Sequence, residues 1–128
     1  MHVGINHVTI VVNDKSKAQY FYCDLLGLEK KVIGKSLWVK VGNQYIHINE
    51  NPNQIRKNTF HHFAITIEGL IPFLQNLISK GVRVFDTDDG TSMKDTNTNL
   101  DCPKRNYFAY DPSGNLVEFI DSTNNFFK

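Results

Sequence analysis

Three histidines and one glutamate in this chain lie on short alternating segments where side chains of that kind can hold a metal ion. They are His7, His47, His62 and Glu118. Imidazole nitrogens together with a carboxylate suit Zn, Ni, Mn, Fe or Co, and coordination positions left open would admit a substrate. One strand histidine by itself is more often a hydrogen-bonded core or surface residue, so the case rests on placement. Glu118 adds weight because it interrupts the apolar run Leu116-Val117-Glu118-Phe119-Ile120. A carboxylate there is costly unless it is paired or metal-bound.

Placement comes from a near-repeat within the chain. Asn6-His7-Val8-Thr9-Ile10-Val11-Val12 aligns with His61-His62-Phe63-Ala64-Ile65-Thr66-Ile67. Both alternate apolar residues with small, polar or histidine residues, as a strand with two unlike faces does. His7, Thr9 and Val11 share one face of the first; His62, Ala64 and Thr66 share the equivalent face of the second. His61 falls on the opposite face from His62, and His2 sits near the terminus; both are set aside. His47 and Glu118 occupy matching places in the last strand of each half.

Elements that position these residues follow from periodicity. Residues 15–26 carry Ala18, Phe21, Tyr22, Leu25 and Leu26 at helical spacing, with Asp14 as N-cap and Gly27 as stop. Residues 70–80 place Leu70, Phe73, Leu74, Leu77 and Ile78 on one stripe, with Pro72 in the first turn and Gly81 at the end. Further strands are expected over 28–33, 36–41 and 44–49 in the first half and over 82–86, 104–110 and 115–121 in the second. Gly42-Asn43 and Asp111-Pro112-Ser113-Gly114 supply turns. The expected fold class is α+β: two tandem βαβββ modules whose mixed curved sheets form a cup with helices outside. All four metal candidates would point into that cup. Module one spans 4–49, a linker 50–59, module two 60–121 and a tail 122–128, within a single domain. The polar stretch 87–103 makes the second module longer, and a loop of that size is usually functional or mobile.

Four motifs in order along residues 4–121 resemble the vicinal oxygen chelate superfamily of glyoxalases, fosfomycin-resistance enzymes, bleomycin-binding proteins and extradiol dioxygenases. The first is Asn6-His7-Val8-Thr9-Ile10 and the second Phe21-Tyr22-Cys23-Asp24-Leu25-Leu26-Gly27-Leu28. The third is His62-Phe63-Ala64-Ile65. The fourth is the hairpin Tyr107-Phe108-Ala109-Tyr110-Asp111-Pro112-Ser113-Gly114-Asn115-Leu116-Val117-Glu118-Phe119. The resemblance implies His7, His62 and Glu118 as ligands of a divalent metal, a small-molecule substrate, and a homodimer in which each cup is built within one chain or across two. It also implies Trp38, Tyr45, Asn106 and Phe108 on the concave side; with Thr9, these are the candidate substrate-binding residues. Aromatic walls with a few polar groups fit a small organic substrate.

The implied activity is glyoxalase-like lyase or isomerase chemistry, with Glu118 and His47 as catalytic residues. The alternatives are extradiol ring cleavage, fosfomycin-type thiol transfer, and metal-free sequestration of a drug or metabolite in the manner of bleomycin resistance. Glyoxalase I carries a glutamate where this chain has His47, and the stretch 87–103 departs from the potassium and phosphonate loop of the thiol transferases. Three roles stay open for His47: fourth ligand, proton exchange with substrate (imidazole titrates near about 6.5), or a strand histidine bonded to backbone.

Composition narrows the partners. Fourteen basic residues face thirteen acidic ones in 128, a net charge of +1. Such a balance exerts no broad pull on nucleic acid or an anionic membrane surface. No apolar run approaches the ~20 residues of a membrane span. The first residues lack the pattern of a secretory signal, so a cytoplasmic location is expected. Cys23 and Cys102 have no neighbours at metal-ligand spacing and read as free thiols. Arg105 reads as a solvated charge at a strand end, or as a rim group facing an anionic substrate.

Overall fold

In a computed structural model, residues 1–54, 60–87, 93–95, 100 and 106–124 are described. Cys102, Arg105 and most of 87–103 lie outside them. The chain divides into two compact units. One comprises residues 1–58 with 111–115; the other comprises 59–110 with 116–128.

Unit one runs β1 (His7–Val12), α1 (Lys15–Gln19), β2 (Glu29–Ile33), β3 (Ser36–Val41) and β4 (Gln44–Glu50). Its sheet order is β1-β4-β3-β2, with β1 parallel to β4 and the other pairs antiparallel. Unit two runs β5 (His62–Ile67), α2 (Leu70–Ser79), β6 (Phe85–Asp86), β7 (Lys94–Asp95), β8 (Asn106–Tyr110) and β9 (Leu116–Asp121). Its order is β5-β9-β8-β6-β7, with β5 parallel to β9 and the other pairs antiparallel. The two units are βαβββ modules, as the repeat requires, and the second carries one additional two-residue strand. That strand comes from the long polar stretch expected to be loop; two residues are too few to show a period.

Both sheets bury one face under a helix. In unit one Ile10, Val12, Leu37, Val39, Ile46 and Ile48 are buried together with Ala18, Phe21, Tyr22 and Leu26. In unit two Leu70, Leu74 and Leu77 of α2 are almost fully buried, as are Val117 and Phe119 of β9. Each such leucine contributes about 1.5–3 kcal/mol on transfer from water. Leu77→Asp would place an unpaired charge in this layer and would break it.

One element departs from the expected form. The stretch 15–26 is not a continuous α-helix. Asp14 caps α1 by accepting from the Lys17 amide at 3.0 Å, and Tyr20–Leu25 then continues as a π-helix. The Leu26 amide donates to the Phe21 carbonyl across the wider turn at 2.9 Å. The apolar residues at 18, 21, 22, 25 and 26 fit either winding, so their spacing does not reveal the bulge. Gly27, at φ 78°, ends the segment in a conformation that favours glycine.

The Asp111–Asn115 turn is closed by one buried carboxylate. Asp111 Oδ1 accepts from the amides of Ser113 and Asn115 at 2.8 and 2.9 Å. Its Oδ2 accepts from the Tyr22 hydroxyl and from Asn115 Nδ2, both at 2.8 Å. Asn115 Nδ2 also donates to the Val11 carbonyl at 3.0 Å. Four donors on one carboxylate explain why an ionisable residue tolerates 4 % exposure there. The turn delivers the chain directly into β9, the strand that carries Glu118.

Candidate metal centre

Strand register sets which side chains meet. Ala64 pairs with Glu118 across β5 and β9, and Thr9 pairs with His47 across β1 and β4. Phe108 stands opposite Glu118, and Trp38 opposite His47. The two modules thus repeat one another position by position at the residues picked out from sequence.

In unit two the structure brings His62 and Glu118 together. His62 Nε2 lies 2.9 Å from Glu118 Oε1. The two side chains are 22 % and 11 % exposed, so the pair is mostly withdrawn from water. His62 Nδ1 lies 2.6 Å from the Phe60 carbonyl oxygen. A carbonyl oxygen can only accept, so Nδ1 carries the proton in that bond. Nε2 and Glu118 Oε1 then share a second proton, carried by the imidazole or by the carboxyl, and that proton would have to leave for a metal ion to take its place. Two ligands at about 2.0–2.2 Å from a tetrahedral Zn-like ion stand about 3.3–3.6 Å apart. The 2.9 Å separation is shorter, a hydrogen-bond distance, so the two side chains would part by a few tenths of an ångström around such an ion.

Neighbours hold both donors in place. Asn106 Nδ2 donates to Glu118 Oε2 at 3.2 Å. The Phe108 ring meets the His62 ring edge-on at 5.4 Å, and Phe60 packs against both, at 4.8 Å from His62 and 5.7 Å from Phe108. Phe108, at 2 % exposure, is therefore covered by these rings rather than standing open as a bare wall. The role of Phe60 was not read from the sequence; a backbone carbonyl leaves no mark on residue type.

Unit one presents the matching positions differently. The His47 imidazole stacks on the Trp38 indole, centroids 4.2 Å apart and planes 13° apart. Trp38 meets His7 edge-on at 5.0 Å and Tyr45 at 6.3 Å. The His7 and His47 rings are 6.3 Å apart between centroids. Where unit two joins histidine to glutamate, unit one inserts an indole. His7 Nδ1 meets Asn6 Oδ1 at 2.8 Å, so the same ring nitrogen is engaged as in His62. His47 Nε2 is buried and has no hydrogen-bond partner among the described residues. Thr9 is exposed on the same face. Among the described residues no group of three or more His, Cys, Asp or Glu side chains converges closely enough to hold a metal ion.

Cys23, on the π-helical segment, is a free thiol. Burial pushes its pKa up, the Asp24 charge pushes it further, and Lys30 only partly offsets them. It therefore makes a poor thiolate nucleophile. No helix is long and apolar enough to cross a membrane among the described residues.

Comparison with known proteins bears on this geometry. The family model described as the Glyoxalase/Bleomycin resistance protein/Dioxygenase superfamily matches residues 4–119. Metallothiol transferase FosB of Staphylococcus epidermidis is 37% identical over 68 residues, which are 50% of this chain and 49% of that protein. The matched stretch therefore spans about half the length of that relative. Among solved structures, a glyoxalase family protein from Bacillus anthracis superposes with a TM-score of 0.73 at 26% identity, covering 94% of this chain and 96% of the other. The fosfomycin resistance protein FosX of Listeria monocytogenes superposes with a TM-score of 0.71, covering 98% of each chain. At 19% identity that second likeness is one of fold.

Proposed function

Since the chain belongs to the Glyoxalase/Bleomycin resistance protein/Dioxygenase superfamily, we propose that it is a divalent-metal enzyme acting on a small substrate that offers two neighbouring oxygens. The observation that carries this is the His62–Glu118 pair. His62 Nε2 and Glu118 Oε1 meet at 2.9 Å in a hydrogen bond whose proton a metal ion would replace, with Nδ1 committed to the Phe60 carbonyl. Metal-binding histidines are held in the same way, by a partner on the other ring nitrogen.

His62 and Glu118 are the core of the proposed ligand set; His7 and His47 are proposed as further donors, within one chain or across the proposed homodimer. His47 Nε2 has no hydrogen-bond partner among the described residues, and in its unprotonated form it can serve as a donor atom. When bound, a divalent ion supplies a Lewis acid to the substrate oxygens. The chain's own groups do the rest. Thr9, Trp38 and Tyr45 contribute surface for substrate contact. Asn106 and Phe108 hold the carboxylate and imidazole in place, and Glu118 and His47 are the groups proposed for proton transfer. Lyase or isomerase chemistry of the glyoxalase kind is the first reading, in a homodimer. Sedimentation at micromolar concentration that returned only monomer would contradict the dimer.

Thiol transfer is a second reading, favoured by the 37% identity to a metallothiol transferase. Both readings need the metal. Oxalate, a bidentate oxygen probe, separates them from metal-free sequestration. Calorimetry is expected to detect oxalate binding to Mn- or Zn-loaded protein and none after chelator treatment. Equal binding of oxalate with and without metal would overturn the metal-enzyme proposal.

A further inference from the structure

The bond from Asn106 to Glu118 divides the two carboxylate oxygens between different partners. Oε1 faces His62 Nε2 at 2.9 Å, while Oε2 accepts from Asn106 Nδ2 at 3.2 Å. Asn106 opens β8 and pairs with Ile120, two residues beyond Glu118 on β9 and on the same face. Its amide reaches the carboxylate diagonally across the ladder. Phe108 stands directly opposite Glu118 and is buried. Oε2 thus has a fixed donor on a strand, inside a pair of side chains that is mostly withdrawn from solvent.

From this we infer that Asn106 is a positioning residue that makes Glu118 a one-oxygen ligand. It rests on the proposed metal-binding function and deepens it. An ionised carboxylate can take a cation through one oxygen or through both. A hydrogen bond to Oε2 stabilises charge on that oxygen and fixes the plane of the carboxylate, so that Oε1 alone is presented on the His62 side. A coordination position that a two-oxygen carboxylate would occupy is then kept for a substrate oxygen. The family resemblance makes Asn106 a substrate contact; the hydrogen bond gives it a different task, acting through Glu118.

The test uses Co(II) on the full chain, by competition against a chromophoric chelator and by the visible absorption of the bound ion. Asn106→Leu keeps the volume and removes the donor; Asn106→Thr suits a strand and is too short to reach Oε2, in case the leucine variant fails to fold. Thermal melting of each metal-free variant checks the fold. Wild type is expected to bind Co(II), and each folded variant to bind it about 10–100-fold more weakly. The variants should also show weaker visible bands, because a freed Oε2 raises the coordination number. A purely structural role for Asn106 would leave the spectrum of the bound ion unchanged. Variants that match wild type in both affinity and spectrum would overturn this inference while leaving the metal site standing. Wild-type protein that takes up no Co(II) would overturn both.

Discussion

Tyr22→Phe is the sharpest test of how the Asp111–Asn115 turn is held. The hydroxyl donates to Asp111 Oδ2 at 2.8 Å, the tyrosine is fully buried, and the carboxylate is 4 % exposed. A hydrogen bond to a charged group contributes about 1.5–3 kcal/mol, and burial here leaves no water to replace it. Tyr22→Phe should therefore cost about that much. At this chain length it should lower the melting temperature by roughly 5–15 °C. Asp111→Asn should cost more, about 3 kcal/mol or above. The amide oxygen can keep the Ser113 and Asn115 amides, but the new NH₂ then faces Asn115 Nδ2, which is already committed as a donor to the Val11 carbonyl. The double variant should cost less than the sum, because the two changes break one shared bond. Urea denaturation followed by circular dichroism measures all three. A Tyr22→Phe midpoint that implies less than about 0.5 kcal/mol would refute the reasoning, since only an exposed or redundant bond costs so little.

Cys23 should react with iodoacetamide near neutral pH more slowly in the folded protein than after denaturation, because its raised pKa keeps the thiolate scarce; equal rates, followed by mass spectrometry of the Cys23 peptide, would contradict this. His47→Phe should leave the metal-free protein as stable as wild type or about 1 kcal/mol more stable, because it removes a buried nitrogen that has no partner among the described residues and keeps a ring on Trp38. The same substitution should weaken metal affinity if His47 is a donor. Stability by urea titration and affinity by chelator competition report the two effects separately.

The repeat made the fold legible in the sequence. Aligning His7 with His62 and His47 with Glu118 implies that Thr9 sits beside His47 as Ala64 sits beside Glu118, and the strand register has that pairing. Alternation identified the face of each side chain because a strand has a period of two. It could not identify partners. Phe60 engages His62 through a backbone carbonyl, and Asn106 engages Glu118 diagonally across a ladder; residue type signals neither. The π-helical turn was hidden because the apolar positions from Ala18 to Leu26 satisfy two windings at once. The two-residue β7 was hidden by its length. The stacking of His47 on Trp38 follows from their cross-strand pairing, which became visible only once β3 and β4 were in register.

The central claim is that His62 and Glu118 bind a divalent metal. The most direct measurement is competitive titration of Zn, Mn and Co into chelator-treated wild type, His62→Ala and Glu118→Ala, with the fold of each checked by circular dichroism. Wild type should take up close to one ion per chain, and each folded variant should lose at least about 100-fold in affinity, more than the ~10–100-fold typical of losing an outer partner. His62→Ala and Glu118→Ala proteins that bind as tightly as wild type, or a wild type that binds none of the three metals, would contradict it.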